Sequence, residues 1–179
     1  MQELTTLLKS ATGSIAYEYY SLPVDSAASV YRERVYCYEL YHQMRTRWPH
    51  KTAWRINGEV DKRLHPYFDD TDTLVPDLLI HQPGTRRNHA VIEVKRSSLR
   101  ADGIEKDLSA LTTLSCRFGY ERPIYLIFGP NSEQASVRIM DAIKARGETA
   151  CIEVWLHLTV GTPAEMVWQH EGVWPSFRG

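Results

Sequence analysis

The sequence is poor in cysteine and has no long apolar run. Its 179 residues include only three cysteines, Cys37, Cys116 and Cys151, and no two of them form a CxxC pair. This pattern disfavours a disulfide scaffold and a cysteine zinc site, and it indicates a reducing compartment. No apolar run approaches the roughly 20 residues that span a bilayer, and the first residues lack the layout of a signal peptide. We therefore expect a cytoplasmic protein with no membrane partner.

The chain also lacks a strong net charge and the common catalytic motifs. The formal net charge is −1, so only local clusters of basic residues can indicate a nucleic-acid partner. GxSxG, GxxxxGK[ST], GxGxxG and HExxH patterns are absent, which leaves nucleophilic-serine, P-loop, dinucleotide-binding and zincin chemistry without support. Hydrophobic residues make up 43% and charged residues 24%, which is typical of one globular domain over residues 1–179.

The order of apolar patterns predicts an α/β domain with a mixed sheet. A first helix covers residues 1–11 and stops near Gly13, and a second covers residues 26–48. Three- and four-residue spacing predicts that the core side of this second helix consists of Val35, Tyr38, Tyr41, Met44 and Trp48. The remaining patterns predict strands in 51–68, 75–81, 89–96 and 122–129, helices in 103–118 and 132–147 (Ser132 as N-cap, Gly147 as stop), and closing strands in 151–158 and 164–174.

Three charged residues interrupt two of these strands. In "VPDLLIH" and "HAVIEVKR", strand alternation places Asp77 on one face of its strand, and Glu93 and Lys95 on one face of the next. A hairpin centred on Thr85 pairs Asp77 with Glu93, with Cβ atoms roughly 4.5–5.5 Å apart. Opposed carboxylates repel each other, and a divalent cation between them turns this repulsion into a binding site.

Two carboxylates, waters and substrate oxygens are typical ligands of Mg²⁺, and Mn²⁺ is expected to substitute for it. Lys95 is then placed to orient a water, lower its pKa or stabilise a charged phosphorane. The alternative is that Asp77 caps a turn after Pro76 while Glu93 and Lys95 form a solvated pair at a sheet edge. The chain has one Pro-Asp and one E-x-K, and they fall on adjacent strands with matching parity, which favours a functional site.

"PD" followed by "EVK" on the next strand resembles the PD-(D/E)xK nuclease superfamily, whose fold is restriction-endonuclease-like. The resemblance covers about residues 26–129 and implies a three-layer α/β/α domain with core order α-β-β-β-α-β. The N-terminal helix and the elements in about 132–175 extend this core. It also implies Mg²⁺-dependent hydrolysis of phosphodiester bonds, with Asp77 and Glu93 as metal ligands and Lys95 serving the attacking water. Many members add a glutamate from the first core helix, and Glu39 matches that position; its alternative is a solvent-facing glutamate paired with an arginine.

These features together predict an endonuclease that acts on DNA rather than RNA. Residues expected to contact nucleic acid are His42, Arg45, Arg86, Arg87 and Arg96. The low net charge implies a further source of targeting, such as a homodimer or a larger defence or repair complex. Two alternatives stay open: a nucleic-acid-binding or scaffolding protein without catalysis, and an RNA-directed nuclease.

Overall fold

The computed structural model describes residues 2–59, 74–98, 101–147 and 150–172. The helices are α1 (Gln2–Gly13), α2 (Tyr17–Tyr20), α3 (Glu33–Thr46), α4 (Ala101–Phe118) and α5 (Ser132–Arg146). The strands are β1 (Leu22–Val24), β2 (Ala27–Val30), β3 (Arg55–Gly58), β4 (Leu78–His81), β5 (Asn88–Arg96), β6 (Arg122–Phe128), β7 (Glu153–His157) and β8 (Glu165–Gln169). From α3 to β6, the described elements follow the predicted order of helix, three strands, helix and strand.

Six strands form one mixed sheet in the order β3-β4-β5-β6-β7-β8. The first three strands are antiparallel, β5, β6 and β7 are parallel, and β8 is antiparallel to β7. Helices α4 and α5 make the two crossovers between the parallel strands, as parallel pairing requires. The expected α/β class and mixed sheet are therefore present.

Helices cover both faces of this sheet. Ile80, Ile92 and Val94 pack with α1 and α3 in one buried cluster. Leu79 and Val91 pack with α4 and α5 in a second cluster on the opposite face. Because side chains alternate along a strand, the odd-numbered positions of β4 and β5 face α4 and α5.

The second helix is shorter than the sequence pattern predicted. Residues 27–30 form β2, which pairs with β1, and the helix begins only at Glu33. Ser26 has a φ of 55°, and together with Asp25 it makes the turn between the two strands. The prediction of one helix over residues 26–48 was wrong because this short polar turn was not recognised.

The buried face of α3 is also rotated from the predicted one. Tyr36, Cys37 and Leu40 are buried with Met44, whereas Tyr38 is 58% exposed. Tyrosine recurs on several stripes of this helix, so the apolar period did not select one face. Trp48 is buried just beyond the helix end, as expected.

Three smaller predictions have different outcomes. Asn131, with a φ of 62°, is the N-cap of α5, and Ser132 instead donates its hydroxyl to the carbonyl of Gly129 at 2.6 Å. Gly147 ends α5 in the left-handed conformation, as predicted. The predicted strand region 51–68 contains β3, and its part beyond Glu59 lies outside the described residues. Within the described chain, no helix has the length and apolarity needed to cross a membrane.

Candidate active site

The β4–β5 hairpin has the register that the sequence predicted. Leu78 pairs with Ile92, and Leu79 with Val91. The register shifts only toward the loop, where His81 pairs with Asn88. Asp77 directly precedes β4, so continuing this register brings it beside Glu93.

Asp77 is held against β5 by its own side chain. Its Oδ2 accepts a hydrogen bond of 2.7 Å from the backbone N–H of Val94, the residue between Glu93 and Lys95. Its backbone carbonyl accepts a second bond from the N–H of Glu59 at 3.1 Å. The carboxylate thus reaches across to the neighbouring strand instead of capping a local turn.

Glu93 and Lys95 are paired in a largely buried position. Lys95 Nζ lies 2.8 Å from Glu93 Oε1, and the side chains are 19% and 12% exposed, respectively. This burial argues against a solvated pair at a sheet edge. Since buried charges are costly without partners, the pair needs the neighbouring charged groups that surround it.

A third carboxylate, Asp107 of α4, completes the surroundings of Lys95. Its Oδ1 lies 3.3 Å from Lys95 Nζ, and its Oδ2 accepts a hydrogen bond of 3.0 Å from the hydroxyl of Tyr125 on β6. Neither Asp107 nor Tyr125 was predicted from the sequence. The helical spacing could have indicated that Asp107 faces the sheet, because it lies three residues after Ile104 and four before Leu111 on the buried side of α4.

Burial, and after it the charge of neighbouring carboxylates, raises the pKa of each carboxyl group in the cluster. Burial, followed by the charge of Asp77, raises the pKa of Glu93 from 4.5 to about 8, although Lys95 opposes the change. Burial also raises the pKa of Asp77, although the hydrogen bond from Val94 opposes this change. The pKa of Asp107 is raised by burial as well, and the charge of Lys95 opposes that change. Burial alone would lower the pKa of Lys95, but Glu93, Asp107 and Asp77 outweigh it and raise that pKa.

These groups open into a cleft of about 850 Å³. Its lining includes Asp77, Glu93, Lys95 and Asp107, with Thr113 and Arg146 further along the wall. The carboxylates and the ammonium group therefore have access to a substrate-sized space between the sheet and α4.

Glu39 is not brought to this cluster. It is half-buried on α3, and its carboxylate accepts a hydrogen bond of 2.6 Å from Gln43 Nε2. The α3 carboxylate that reaches the site is Glu33, which accepts a bond of 3.3 Å from the backbone N–H of Arg96. The charge of Glu33 also raises the pKa of Asp77 and Asp107. Glu33 was missed because the helix was expected to begin seven residues earlier, at 26.

The five residues expected to contact nucleic acid are exposed but dispersed: His42, Arg45, Arg86, Arg87 and Arg96. Arg96 follows Lys95 directly at the site. Arg86 and Arg87 lie in the loop before β5, and eight residues of extended strand place Arg87 about 26 Å from Lys95. His42 and Arg45 lie two to three turns along α3 from Glu33. Only Arg96 is therefore adjacent to the carboxylate cluster.

The residues present fit a hard divalent cation. Asp77 and Glu93 supply only oxygen donors. Burial and then the charge of Asp77 raise the pKa of Glu93, and a cation between the two carboxylates would offset their repulsion. No group of three or more His, Cys, Asp or Glu side chains in the described ranges is arranged to hold an ion. Two carboxylates suffice for Mg²⁺, which retains several waters and is completed by substrate oxygens.

Comparisons with known proteins give no relative of this chain. Searches of protein-family models, of curated proteins and of solved structures found no match.

Proposed function

We propose that this protein is a Mg²⁺-dependent nuclease that hydrolyses phosphodiester bonds, with DNA as its substrate and a restriction-endonuclease-like fold. The observation that carries the proposal is the placement of Asp77 against Val94, between Glu93 and Lys95. Two carboxylates and one ammonium group thereby share a cleft at the end of neighbouring strands. Mn²⁺ is expected to replace Mg²⁺, since it accepts the same oxygen ligands.

Asp77 and Glu93 are the proposed metal ligands. A divalent cation held there supplies Lewis-acid polarisation of the phosphodiester and lowers the pKa of a bound water. Burial and the charge of Asp77 favour a proton on Glu93, and a cation held by this carboxylate would displace that proton.

Lys95 is the proposed partner of the attacking water and of the negative charge that develops on the phosphate. Its ammonium group stays protonated because three carboxylates raise its pKa. Glu93 and Asp107 contact it at 2.8 and 3.3 Å, and Tyr125 fixes Asp107 in turn. Asp107 and Tyr125 therefore act as positioning residues for Lys95.

A substrate panel tests this function against its alternatives. The protein is incubated with closed circular plasmid, linear single-stranded DNA and RNA, each with Mg²⁺, Mn²⁺ or EDTA. Metal-dependent cutting of the closed plasmid supports an endonuclease that acts on DNA. Cutting of RNA alone contradicts the choice of substrate, and binding without any cleavage contradicts catalysis.

A further inference from the structure

A second cavity lies on the other face of the sheet, between α1 and the segment that joins α3 to β3. Its volume is about 580 Å³, and among the described residues it shares no lining residue with the catalytic cleft. Trp48 and Trp54 form part of its wall, together with Leu4 and Leu7 of α1. We call this cavity, with its two indole rings, the tryptophan groove. A planar ring system as large as a nucleobase fits into a space of this volume.

The two indole rings are held in place by contacts within the protein. The Trp48 indole N–H donates a hydrogen bond of 3.0 Å to the backbone carbonyl of Trp54. The Trp54 ring packs against the imidazole of His89, with the ring centroids 5.5 Å apart. Trp48 is largely buried and Trp54 is half-buried, so Trp54 offers the larger free surface. A ligand that stacks on these rings therefore orders little of the protein when it binds.

The groove is remote from the charged cluster of the catalytic cleft. Trp54 directly precedes β3, whose first residue, Arg55, pairs with His81 at the loop end of the β4–β5 hairpin. His89, which contacts Trp54, lies six residues before Lys95 on β5. Six residues of extended strand measure roughly 20 Å. A nucleic-acid strand of roughly six nucleotides, at about 3.4 Å each, spans this distance.

A basic segment of the chain surrounds the groove. Residues 40–58 contain no aspartate or glutamate, but they contain four exposed arginine and lysine residues: Arg45, Arg47, Lys51 and Arg55. Arg47 donates to the hydroxyls of Ser10 and Ser14 at 3.2 and 2.8 Å, and Arg55 donates to the carbonyl of Trp54 at 2.9 Å. These acceptors are neutral, and none of the four basic side chains forms an ion pair with a carboxylate of the described residues. Their charge is therefore available to a polyanion.

The same charges decide between possible occupants of the groove. Exposed Glu3 is the acidic residue among those that line it, and it offsets one of the four positive charges. A second copy of this chain would bring two basic segments together, and their repulsion opposes self-association. A wholly apolar ligand would leave the basic side chains without a partner. Aromatic rings beside unneutralised cations are instead the combination that binds unpaired nucleotides.

We propose that the tryptophan groove binds a single-stranded segment of DNA, with its bases stacked on the indoles and its phosphates at the four basic side chains. The inference rests on the proposed function, which supplies the polynucleotide. It adds a preference for DNA that has unpaired nucleotides roughly 20 Å from the bond to be cut. Bases in a duplex already stack on one another, so only an unpaired base can stack on Trp54.

Binding of a labelled thymidine oligonucleotide of about 16 nucleotides in EDTA tests this proposal without cleavage. Trp54→Leu keeps an apolar side chain but removes the ring, and it should weaken binding about tenfold. Trp168→Leu is the matched control, because it removes a half-buried indole from β8 at the opposite edge of the sheet, and it should bind like the unmodified protein. Trp54→Phe should recover part of the binding, and thermal unfolding verifies that each variant is folded. Equal binding by Trp54→Leu and Trp168→Leu would overturn the proposal.

A pair of exposed lysines tests the contribution of charge. Lys51→Ala should weaken binding a few-fold and reduce the slope of log K against log salt concentration by about one. Lys144→Ala removes the same charge from α5, outside both cavities, and should leave affinity and slope unchanged. Neither lysine is buried, so both variants should fold. Equal salt dependence of the two variants contradicts a phosphate contact at the groove.

Further arms identify the occupant. A DNA duplex of the same length should bind more weakly than the single strand, and Trp54→Leu should not change its affinity. A uridine oligonucleotide that binds more tightly than the thymidine one contradicts DNA as the occupant. A dimer that dissociates in Trp54→Leu on gel filtration, with DNA binding unchanged, would assign the groove to a second copy and overturn the proposal.

The two proposals fail separately. Lys95→Ala should abolish cleavage and leave binding of the oligonucleotide unchanged. If the protein binds DNA through Trp54 but never cleaves it, the nuclease function is wrong and the groove still binds a single strand. If cleavage depends on Lys95 while Trp54→Leu binds as Trp168→Leu does, only the groove is wrong.

Discussion

Asp77 Oδ2 accepts a 2.7 Å hydrogen bond from the backbone N–H of Val94. This bond links the residue before β4 to the middle of the Glu93-Val94-Lys95 triplet. One oxygen of Asp77 thereby fixes the carboxylate in place, and the proposed function assigns the other oxygen to the metal. The same residue thus has a structural role and a proposed catalytic role, and substitutions separate the two.

Asp77→Asn and Asp77→Ala are expected to differ in stability but not in activity. The amide oxygen of asparagine can still accept the Val94 hydrogen bond, whereas alanine leaves a largely buried N–H unpaired. Asp77→Ala should therefore be about 1–2 kcal/mol less stable than Asp77→Asn in urea unfolding. Both variants lose the proposed metal ligand, so both should lose Mg²⁺-dependent cleavage. An Asp77→Asn variant with full activity would contradict the assignment.

Glu93→Gln is expected to make stability less dependent on pH. The pKa of Glu93 is raised to about 8 in the folded protein, so its contribution to stability is complete below about pH 4.5 and is lost as the pH rises through about 8. Glutamine does not ionise and avoids this loss. Between about pH 5 and pH 8.5, the free energy of unfolding of Glu93→Gln should rise relative to that of the unmodified protein by about 1–3 kcal/mol.

Urea unfolding in EDTA at the two pH values measures this difference. Exposed Glu18 provides the control, since Glu18→Gln should follow the unmodified protein. Parallel pH profiles for Glu93→Gln and the unmodified protein would count against the raised pKa of Glu93.

Asp107→Asn is expected to slow cleavage by about tenfold, less than removal of Lys95 itself. The substitution removes the negative charge 3.3 Å from Lys95 Nζ but keeps a group that can accept the Tyr125 hydroxyl. Lys95 retains Glu93 as a partner, so its position is loosened but not lost. Steady-state kinetics should show the effect mainly in kcat, with Tyr125→Phe weaker than Asp107→Asn. Full activity of Asp107→Asn would show that Lys95 needs no second anchor.

His157 is expected to contribute to acid unfolding. It is fully buried, and its Nδ1 lies 2.7 Å from the Tyr36 hydroxyl. Burial lowers the pKa of His157 to about 4, although backbone hydrogen bonds at Thr159 and Thr162 act in the opposite direction. The stability that this group contributes is complete above about pH 6.5 and is lost as the pH falls through about 4.

His157→Gln keeps a polar group at this position and does not titrate. Between about pH 7 and pH 4, the free energy of unfolding of the unmodified protein should fall by up to about 3 kcal/mol more than that of His157→Gln. His50→Gln, at an exposed position, serves as the control and should leave the profile unchanged. A steep acid loss that persists in His157→Gln would assign the titration to another group.

Strand parity and turn position were sufficient to predict the register of the β4–β5 hairpin. Alternation is a local property of extended chain, and the polar loop between the strands fixed its centre. The three charged residues could therefore be placed together from sequence alone. Their partners Asp107 and Tyr125 come from α4 and β6, and the sequence does not encode how far these elements lie from β5 after folding.

Glu33 and Glu39 illustrate a different limit. Both lie on α3, and choosing between them requires the rotation of that helix about its axis and the residue at which it begins. Because the β1–β2 turn at Asp25 and Ser26 was not recognised, the predicted helix began too early. The several tyrosines of α3 also left its buried face ambiguous in the sequence. Arg86 and Arg87 were expected to contact nucleic acid together with Arg96, although the length of β5 separates them.

Cleavage of a closed circular plasmid by the unmodified protein, Lys95→Ala and Lys144→Ala tests the central claim most directly. The proposed function predicts nicking and linearisation with Mg²⁺, none with EDTA, and at least a hundredfold loss of rate in Lys95→Ala. Lys144→Ala removes the same charge outside the cleft and should cut at a rate close to that of the unmodified protein. Cleavage by Lys95→Ala at the full rate, or cleavage that continues in EDTA, would contradict it.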